Sequence, residues 1–257
     1  PDTLNGRAVV GLLGFAMEQA FGEPGLIPVR FTVDMFRLPR NAPLRIDTHM
    51  ARAGGRLKLA HVEMFCEDAP IARANCQFLR ETENPANPTW QAPAWNAPPP
   101  QKDHAPQSQL LWEVQAIDAK HRRIILQEAE TANSGAAPED QPGNPPVLGP
   151  LAAFEARQVW ARETREMVGG FPHTPFTRIA AAADYANPLA NSSRAGIDYV
   201  NSDITVYLSR LPQTEWIGFE FVHHLATKGI AVGECWLHDE HGPIGAVIAS
   251  GVAQRKR

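Results

Sequence analysis

The sequence contains few cysteines, no excess of basic residues and no long hydrophobic run. Its three cysteines (Cys66, Cys76 and Cys235) cannot all pair, and none has a spacing that suits zinc, so we expect them to be reduced and buried. A net charge of −4 argues against a nucleic-acid-binding protein, which normally carries a basic surface. No apolar run approaches the ~20 residues of a membrane span, and the chain does not open with a basic segment followed by an apolar one. These absences lead us to expect a cytoplasmic protein with no membrane span and no nucleic-acid partner.

Proline, in contrast, is abundant and unevenly placed. Of the 23 prolines, twelve lie in two tracts, between Pro85 and Pro106 and between Pro138 and Pro150. Because proline lacks an amide donor and restricts the residue before it, neither tract can form a helix interior or a central strand. We predict a linker over residues 84–110 and a loop or surface insertion around 133–150.

The chain resembles itself when it is shifted by 173 residues, and eight identities then share one register. They are Thr32-Val33 with Thr205-Val206, Arg37-Leu38-Pro39 with Arg210-Leu211-Pro212, Glu67 with Glu240, and Pro70-Ile71 with Pro243-Ile244. A single register over several consecutive segments indicates an internal duplication. We therefore predict an N-terminal module over residues 1–83 and a C-terminal module over residues 111–257.

Each copy begins with a helical pattern and continues with alternating, strand-like segments. In the first copy, apolar residues recur at helical spacing from Asn5 to Phe21, just before Gly22. The second copy has an alanine-rich helical segment over 176–185, preceded by a strand-like segment over 157–167. Further strands are predicted over 27–38, 44–53, 56–66, 71–80, 196–208, 216–224, 230–238 and 244–254. One helix against a long antiparallel sheet, present twice, indicates an α+β fold.

Three short motifs carry a resemblance to a known family. Gly6-Arg-Ala-Val-Val-Gly11 is similar to the Gly-Gly-Gln-Val-Val-Gly of acyl-CoA thioesterase II proteins, and Ala183-Asp-Tyr-Ala-Asn-Pro188 to their Ser-Asp-Phe-Phe-Leu-Pro. Asn201-Ser-Asp203, followed by Arg210 and Glu215-Trp216, has the spacing of that family's Thr-x-Asp, Arg and Glu-Trp. The resemblance implies a double hotdog, two tandem hotdog modules in one chain. It also implies an acyl-CoA or other acyl thioester as substrate, no cofactor, and a possible homodimer of double-hotdog chains.

The resemblance further implies where a hydrolytic water is held. In that family a helix Asp, a strand Thr and a Gln on the last strand position the water. The Asp falls on Asp184, the Thr position is Asn201, and the Gln falls on Ser250, or on Ala249 if the alignment slips by one residue. Asp184 interrupts an apolar helix, and a buried carboxylate is costly unless it is paired or functional. We therefore predict Asp184, Asn201 and Ser250 as catalytic residues.

Two further residues are candidates for substrate binding. Gly6 begins the first helix, where backbone amides can stabilise a developing oxyanion and a missing side chain allows close approach. Asn5 as a helix cap with Gly6 as a spacer explains the same residues structurally. His224 could act as a base or contact pantetheine, although a lone histidine is more often structural. The sequence has no metal-binding cluster, no phosphate-binding loop and no serine nucleophile motif.

Two alternatives to hydrolysis follow from the same residues. Because only one of the three family groups is retained, the chain could be an acyl-CoA-binding or lipid-binding pseudoenzyme. Hotdog enoyl-CoA hydratases carry Asp-x-Asn-Pro-Leu-His, whereas this chain has one extra residue between Asp184 and Asn187 and Ala190 in place of the histidine. Hydration needs a carboxylate and an imidazole together, so the hydratase interpretation is the weaker of the two.

Overall fold

The computed structural model describes residues 3–90, 94–102, 112–117, 123–126, 147–148, 157–193 and 196–254. The helices are α1 (Gly6–Phe21), α2 (Pro175–Ala182) and α3 (Ala186–Asn191), with a 3-10 turn (Ala183–Tyr185) between the last two. The strands are β1 (Leu26–Met35), β2 (Leu44–Ala53), β3 (Leu57–Cys66), β4 (Ala69–Arg80), β5 (Trp112–Ile117), β6 (Arg123–Leu126), β7 (Val147–Leu148), β8 (Gln158–Glu163), β9 (Ser192–Ser193), β10 (Gly196–Ile197), β11 (Tyr199–Leu208), β12 (Ile217–Thr227), β13 (Ile230–Asp239) and β14 (Gly242–Ala253).

Twelve of these strands form one sheet, and eight of them make up two four-stranded halves that run in opposite order. The order is β2-β3-β4-β1-β11-β14-β13-β12, followed by β8-β5-β6-β7 at the second edge. Strands β1 and β11 are antiparallel neighbours and join the halves. The helices cover one face of this sheet, and the buried core lies between the two layers. The predicted α+β double-hotdog fold is confirmed.

The register between β1 and β11 confirms the duplication. Thr32 lies directly opposite Thr205, its own equivalent in the repeat, and their hydroxyl oxygens are 3.3 Å apart. A residue can face its own equivalent in this way only at a two-fold axis. Strands β1, β3 and β4 become β11, β13 and β14 when their bounds are shifted by 173 residues. Strand β2 becomes β12 with one residue more, so the two modules share one strand plan.

Helix α1 forms where the sequence predicts it. Asn5 caps its N-terminus, because the Asn5 side chain accepts a hydrogen bond from the backbone N–H of Ala8 at 3.0 Å. Val10, Leu13 and Met17 are buried at helical spacing, and the helix ends at Gly22. The cap and the apolar face together fix where the helix begins and which side meets the sheet.

Helices α1 and α2 run antiparallel and touch closely. Gly14 lies so near the Ala180 side chain that a Cβ on Gly14 would be 2.5 Å from it. At one end of the pair Gly6 meets the segment after α2, and at the other end Glu18 meets Thr174. The N-terminus of each helix therefore lies beside the far end of its partner.

The second helix continues further than predicted. The pattern predicts an end near Tyr185, before Asn187-Pro188, but the helical path runs on to Asn191. The 3-10 turn explains the difference, because it starts α3 anew at Ala186. Pro188 then lies in the first turn of α3, where a missing N–H costs no internal hydrogen bond.

The interval that the duplication leaves over adds strands to the second edge of the sheet. Strand β8 pairs with β12, and β5 and β6 continue outward from it. In the linker, Trp95 stacks on His238 with ring centroids 4.4 Å apart. The predicted insertion around 133–150 lies outside the described residues apart from Val147–Leu148. The module boundaries stay a prediction.

Two smaller expectations can be compared with the structure. Cys66, Cys76 and Cys235 are buried free thiols, as predicted. Over the described ranges, no helix is long and apolar enough to cross a membrane.

Candidate active site

The N-terminus of α1 meets the break in the second helix, and this contact brings Gly6 against Asp184. A Cβ on Gly6 would lie 2.5 Å from Asp184 Oδ1 and 2.8 Å from Oδ2. No side chain could occupy that space, so glycine allows the carboxylate to lie against the backbone of α1. Two residues that the sequence selects separately, one near the start of each repeat copy, are therefore in direct contact.

Asn201 joins the same cluster from the sheet. It lies on β11, next to an irregularity in the pairing of β11 with β14 that falls between Asn201 and Asp203. Its side-chain amide Nδ2 donates to Asp184 Oδ1 at 3.0 Å. One face of the carboxylate is thus held by a neutral amide, which leaves the Asn201 carbonyl oxygen available to accept a hydrogen bond.

Burial raises the pKa of Asp184 above its ordinary value. The Asn201 hydrogen bond, the backbone N–H of Arg7 and the positive charge of Arg7 each lower the pKa and partly offset that effect. The residue as a whole keeps some exposure to solvent, although its carboxylate is almost enclosed by protein. A carboxylate in such a setting can accept a proton from water more readily than an ordinary surface aspartate.

The first turn of α1 still offers one backbone donor. The N–H of Ala8 bonds to Asn5, and the N–H of Arg7 bonds to Asp184. The N–H of Gly6 has no hydrogen-bond partner among the residues that the structure describes. Since the N-terminus of a helix carries a partial positive charge, this N–H is suited to a carbonyl oxygen that becomes negative.

A buried ion pair lies directly behind this cluster. The Arg7 side chain extends to Glu163 at the end of β8, with Arg7 Nε 2.7 Å from Oε1 and 2.8 Å from Oε2. The two side chains are 6% and 2% exposed. Sequence reasoning missed this pair because its members are 156 residues apart. The available signal was a basic residue in the first turn of a helix, where positive charge is unfavourable.

Ser250 is predicted as catalytic together with Asp184 and Asn201, but it does not lie with them. Its hydroxyl bonds to Asp203 and lies 3.0 Å from the Ser202 hydroxyl. Val247 and Ala249 point into the core beneath the helices, and alternation along β14 places Ser250 on the opposite face. The residue on the helix side is therefore Ala249, the other position that the resemblance allowed, and it is fully buried and apolar.

His224 lies apart from Asp184, in a neighbouring cavity. Its Nε2 is 3.2 Å from Asn191 Oδ1, and the Asn191 amide donates in turn to Asn187 at 2.8 Å. The cavity has a volume of about 250 Å³ and begins at Tyr199, two residues before Asn201 on β11. Its lining also includes Arg157, whose guanidinium lies 5.1 Å from the centre of the Phe221 ring.

Among the described residues, this site lacks the imidazole that hydration needs and a set of side chains that could hold a metal ion. Ala190, at the position of the hydratase histidine, packs against Gly233 and brings no imidazole towards Asp184. Within the described part of the chain, no three His, Cys, Asp or Glu side chains are grouped so that they could hold a metal ion. The residues that meet at the cluster are a carboxylate, an amide and a helix N-terminus, a set suited to orienting a water molecule.

Family models match both halves of the chain. The model described as "Acyl-CoA thioesterase N-terminal domain" matches residues 1–79, and the model described as "Acyl-CoA thioesterase C-terminal domain" matches residues 113–252. The N-terminal match contains Gly6, and the C-terminal match contains Asp184 and Asn201.

Solved structures with the same fold are similar to this chain over almost its whole length. An acyl-CoA thioesterase II from Mycobacterium marinum has a TM-score of 0.66 and 16% identity, with 97% of this chain and 90% of that chain covered. A putative thioesterase II from Thermobifida fusca has the same score and identity, with 100% and 90% covered. A hotdog-fold protein of unknown function from Alicyclobacillus acidocaldarius has a TM-score of 0.62 and 14% identity, with 100% and 89% covered. A search of curated proteins found no match.

Proposed function

Because this chain belongs to the acyl-CoA thioesterase family, a family of thioester hydrolases, we propose that it hydrolyses an acyl-CoA with a water molecule held by Asp184 and Asn201. The reaction site lies between the modules, where the N-terminus of α1 meets the break in the second helix. The contact of Gly6 with the Asp184 carboxylate is the observation that carries this proposal. It brings a backbone donor and a proton acceptor together.

The proposed reaction uses the two modules for different tasks. The Gly6 N–H accommodates the thioester carbonyl oxygen, while Asp184 accepts a proton from the water as the water oxygen attacks the carbonyl carbon. The carbon–sulfur bond then breaks, and the leaving sulfur takes the proton from Asp184. A raised pKa makes the Asp184 carboxylate a better proton acceptor in the first step, and the departing thiolate is basic enough to take the proton back in the second.

Asn201 replaces the family's threonine in this proposal. Its amide holds Asp184 in place, and its carbonyl oxygen can accept a hydrogen bond from the water. The family's glutamine has no equivalent on the helix side of β14, since Ala249 stands there. We therefore expect slower hydrolysis than three polar groups would give.

We assign the cavity beside Asn201 to the pantetheine arm of the substrate. It begins about 7 Å along β11 from Asn201, the spacing of two strand residues. His224, Asn191 and Arg157 supply polar groups to its lining, which suits the amides of pantetheine better than an alkyl chain. His224 is thus a binding residue in this proposal and takes no part in proton transfer.

Release of free thiol from a panel of acyl-CoAs, measured for the wild type and for Asp184→Asn, tests the proposal. We expect turnover of at least one acyl-CoA by the wild type and a loss of about 100-fold or more in the variant. Equal rates would remove Asp184 from the mechanism. Saturable binding of acyl-CoA without turnover by the wild type would instead favour the binding protein.

A further inference from the structure

The proposed reaction needs groups from two modules to hold one geometry. The backbone donors belong to α1 of the first module, and Asp184 belongs to the second. Misplacement of reacting groups by about 1 Å can cost about 100-fold in rate. The β1–β11 ladder joins the modules in the sheet, but it lies in the other layer. Something closer must fix the first turn of α1 against the second module.

The Arg7–Glu163 ion pair is placed to do this. Arg7 follows Gly6 directly, its backbone N–H bonds to Asp184, and its side chain reaches Glu163 on β8. Arg7 Nη2 makes a further contact with Glu163, so the guanidinium binds the carboxylate through two nitrogens. Both side chains are almost fully buried, and such a pair is costly to maintain unless its geometry is good.

Arg7 also has two carboxylates near it, and only one of them receives its side chain. The charge of Arg7 acts on Asp184, yet the guanidinium bonds to Glu163. An ion pair of the guanidinium with Asp184 would occupy the oxygen lone pairs that a water needs. The competing carboxylate of Glu163 removes that possibility.

We propose that Glu163 is a positioning residue for hydrolysis: it holds the Arg7 side chain away from Asp184 and fixes the first turn of α1 against the second module. This inference rests on the proposed function. In this proposal Glu163 acts through Arg7 and does not itself contact the reacting groups.

Other charged groups near Asp184 have partners elsewhere. On α2, the Arg178 guanidinium donates to the backbone oxygen of Thr214 at 3.2 Å. On β11, Asp203 is bonded to Ser250 on the opposite face of the sheet. Helix α3 carries no charged side chain, and Tyr185 has its pKa raised far above neutrality by burial. Arg7 and Glu163 are therefore the charges that a variant can change locally.

Two variants should shift the pKa of Asp184 in opposite directions. Glu163→Gln leaves the Arg7 charge uncompensated and free to approach Asp184, so the acid limb of the kcat/KM pH profile should move to lower pH. The double variant Arg7→Met with Glu163→Leu removes the Arg7 charge, and the limb should move to higher pH. Each should lower kcat by about tenfold, with a smaller change in KM. The double variant also guards against misfolding, since apolar replacements of buried ion pairs commonly fold.

A matched control lies on the same strand. Arg162 Nη2 donates to Glu113 Oε2 at 2.6 Å in another little-exposed pair, with side chains 14% and 10% exposed. Arg162 is the neighbour of Glu163 on β8, and its partner Glu113 lies on β5. Glu113→Gln therefore removes the carboxylate partner of Arg162, as Glu163→Gln removes that of Arg7. We expect it to leave the acid limb in place, because neither Arg162 nor Glu113 contributes to the pKa of Asp184.

A second readout separates this inference from the proposed function. The carboxyl carbon of Asp184 can be titrated by NMR in protein labelled at aspartate, with the signal assigned by its loss in Asp184→Asn. If no variant turns over, the proposed function fails, but the NMR midpoints should still move in opposite directions. If the two variants move the midpoint in the same direction, or not at all, Glu163 has no positioning role and the pair is structural.

Discussion

The two ends of the α1–α2 helix pair have similar parts but differ in what they leave available. At one end the N-terminus of α1 meets Asp184, and at the other the N-terminus of α2 meets Glu18. Burial raises the pKa of both carboxyl groups. A duplicated, two-fold arrangement would give two equivalent sites, so the difference between the ends indicates which one can work.

The two ends differ in the backbone N–H groups that they offer as hydrogen-bond donors. Helix α1 begins with Gly6, whose N–H has no partner among the described residues, whereas α2 begins with Pro175, which has no N–H. Thr174 and Thr177 also form a capping box that satisfies both of their backbone N–H groups. The α1 end therefore keeps the N–H of its first residue for a carbonyl oxygen, whereas the α2 end has no N–H at its first residue.

The repeat register shows that the polar groups diverged as well. A shift of 173 residues relates Asp184 to Gly11 and Asn201 to Pro28, neither of which offers a polar side chain. The strands kept their bounds to within one residue while the helix positions changed. The strand plan was thus preserved in both copies, whereas the carboxylate and amide of Asp184 and Asn201 have no counterpart in the first copy.

Removing each carboxylate in turn should give the largest contrast between the ends. Asp184→Asn should lower kcat by about 100-fold or more, because a neutral amide cannot take a proton from water. Glu18→Gln should change kcat by less than about twofold, since Glu18 only accepts a hydrogen bond from the Thr174 hydroxyl. Thiol release under saturating acyl-CoA measures both. A comparable loss in Glu18→Gln would show that the second end also works.

The same aspartate variant should stabilise the protein at neutral pH. The pKa of Asp184 is raised in the folded state, so ionisation of Asp184 costs folding free energy once the pH exceeds that pKa. The gain in Tm for Asp184→Asn should therefore be present at pH 7 and disappear as the pH falls below the ordinary aspartate pKa. Thermal unfolding across this pH range checks it, and a variant that is less stable at pH 7 would contradict it.

Filling the space at the end near Asp184 should have the next largest effect. In Gly6→Ala the new Cβ would lie 2.5 Å from Asp184 Oδ1, so the carboxylate or the helix must shift. We expect kcat to fall by about 30-fold, because both the donor and the acceptor are displaced.

Gly14→Ala provides the matched comparison for Gly6→Ala. Its new Cβ would meet the Ala180 side chain at the same distance, but away from the carboxylate. This variant should lower Tm and leave kcat of the folded protein nearly unchanged. The prediction for Gly6 fails if the two variants lose activity only in proportion to their loss of stability.

Much of this architecture was predictable because local pattern and repeat agree. The alternation of apolar residues and the 173-residue shift together locate the strands, and Asn5 and Gly22 bound the first helix. The continuation of the second helix was not predictable, because a proline in a first turn and a proline that ends a helix look alike in sequence.

The candidate site was predictable in part for a similar reason. Gly6, Asp184 and Asn201 lie within short motifs, so resemblance was enough to select them. Ser250 and Ala249 are adjacent on a strand, and a shift of one residue reverses the face of the sheet, so only the pairing of β14 could separate them. The Arg7–Glu163 pair spans both modules, and no local pattern connects its members.

Asn201 should contribute less than Gly6, because it orients a group and does not supply the proton acceptor. Asn201→Ala removes the hydrogen bond to Asp184 Oδ1, and we expect kcat to fall by about tenfold. Asn201→Thr, which restores the residue that the resembling family has, should retain more activity than the alanine variant. Equal activity of the alanine and threonine variants would show that a polar group at this position does not matter.

Ser250→Ala should have the smallest effect. The Ser250 hydroxyl bonds to Asp203 and Ser202 on the sheet face opposite the helices, so its loss should cost about 1 kcal/mol of stability and change kcat by less than about twofold. Urea unfolding and thiol release measure the two quantities on the same preparation. A tenfold loss of kcat with an unchanged fold would show that Ser250 takes part in the reaction. The reaction site would then have to reach the face of the sheet opposite the helices.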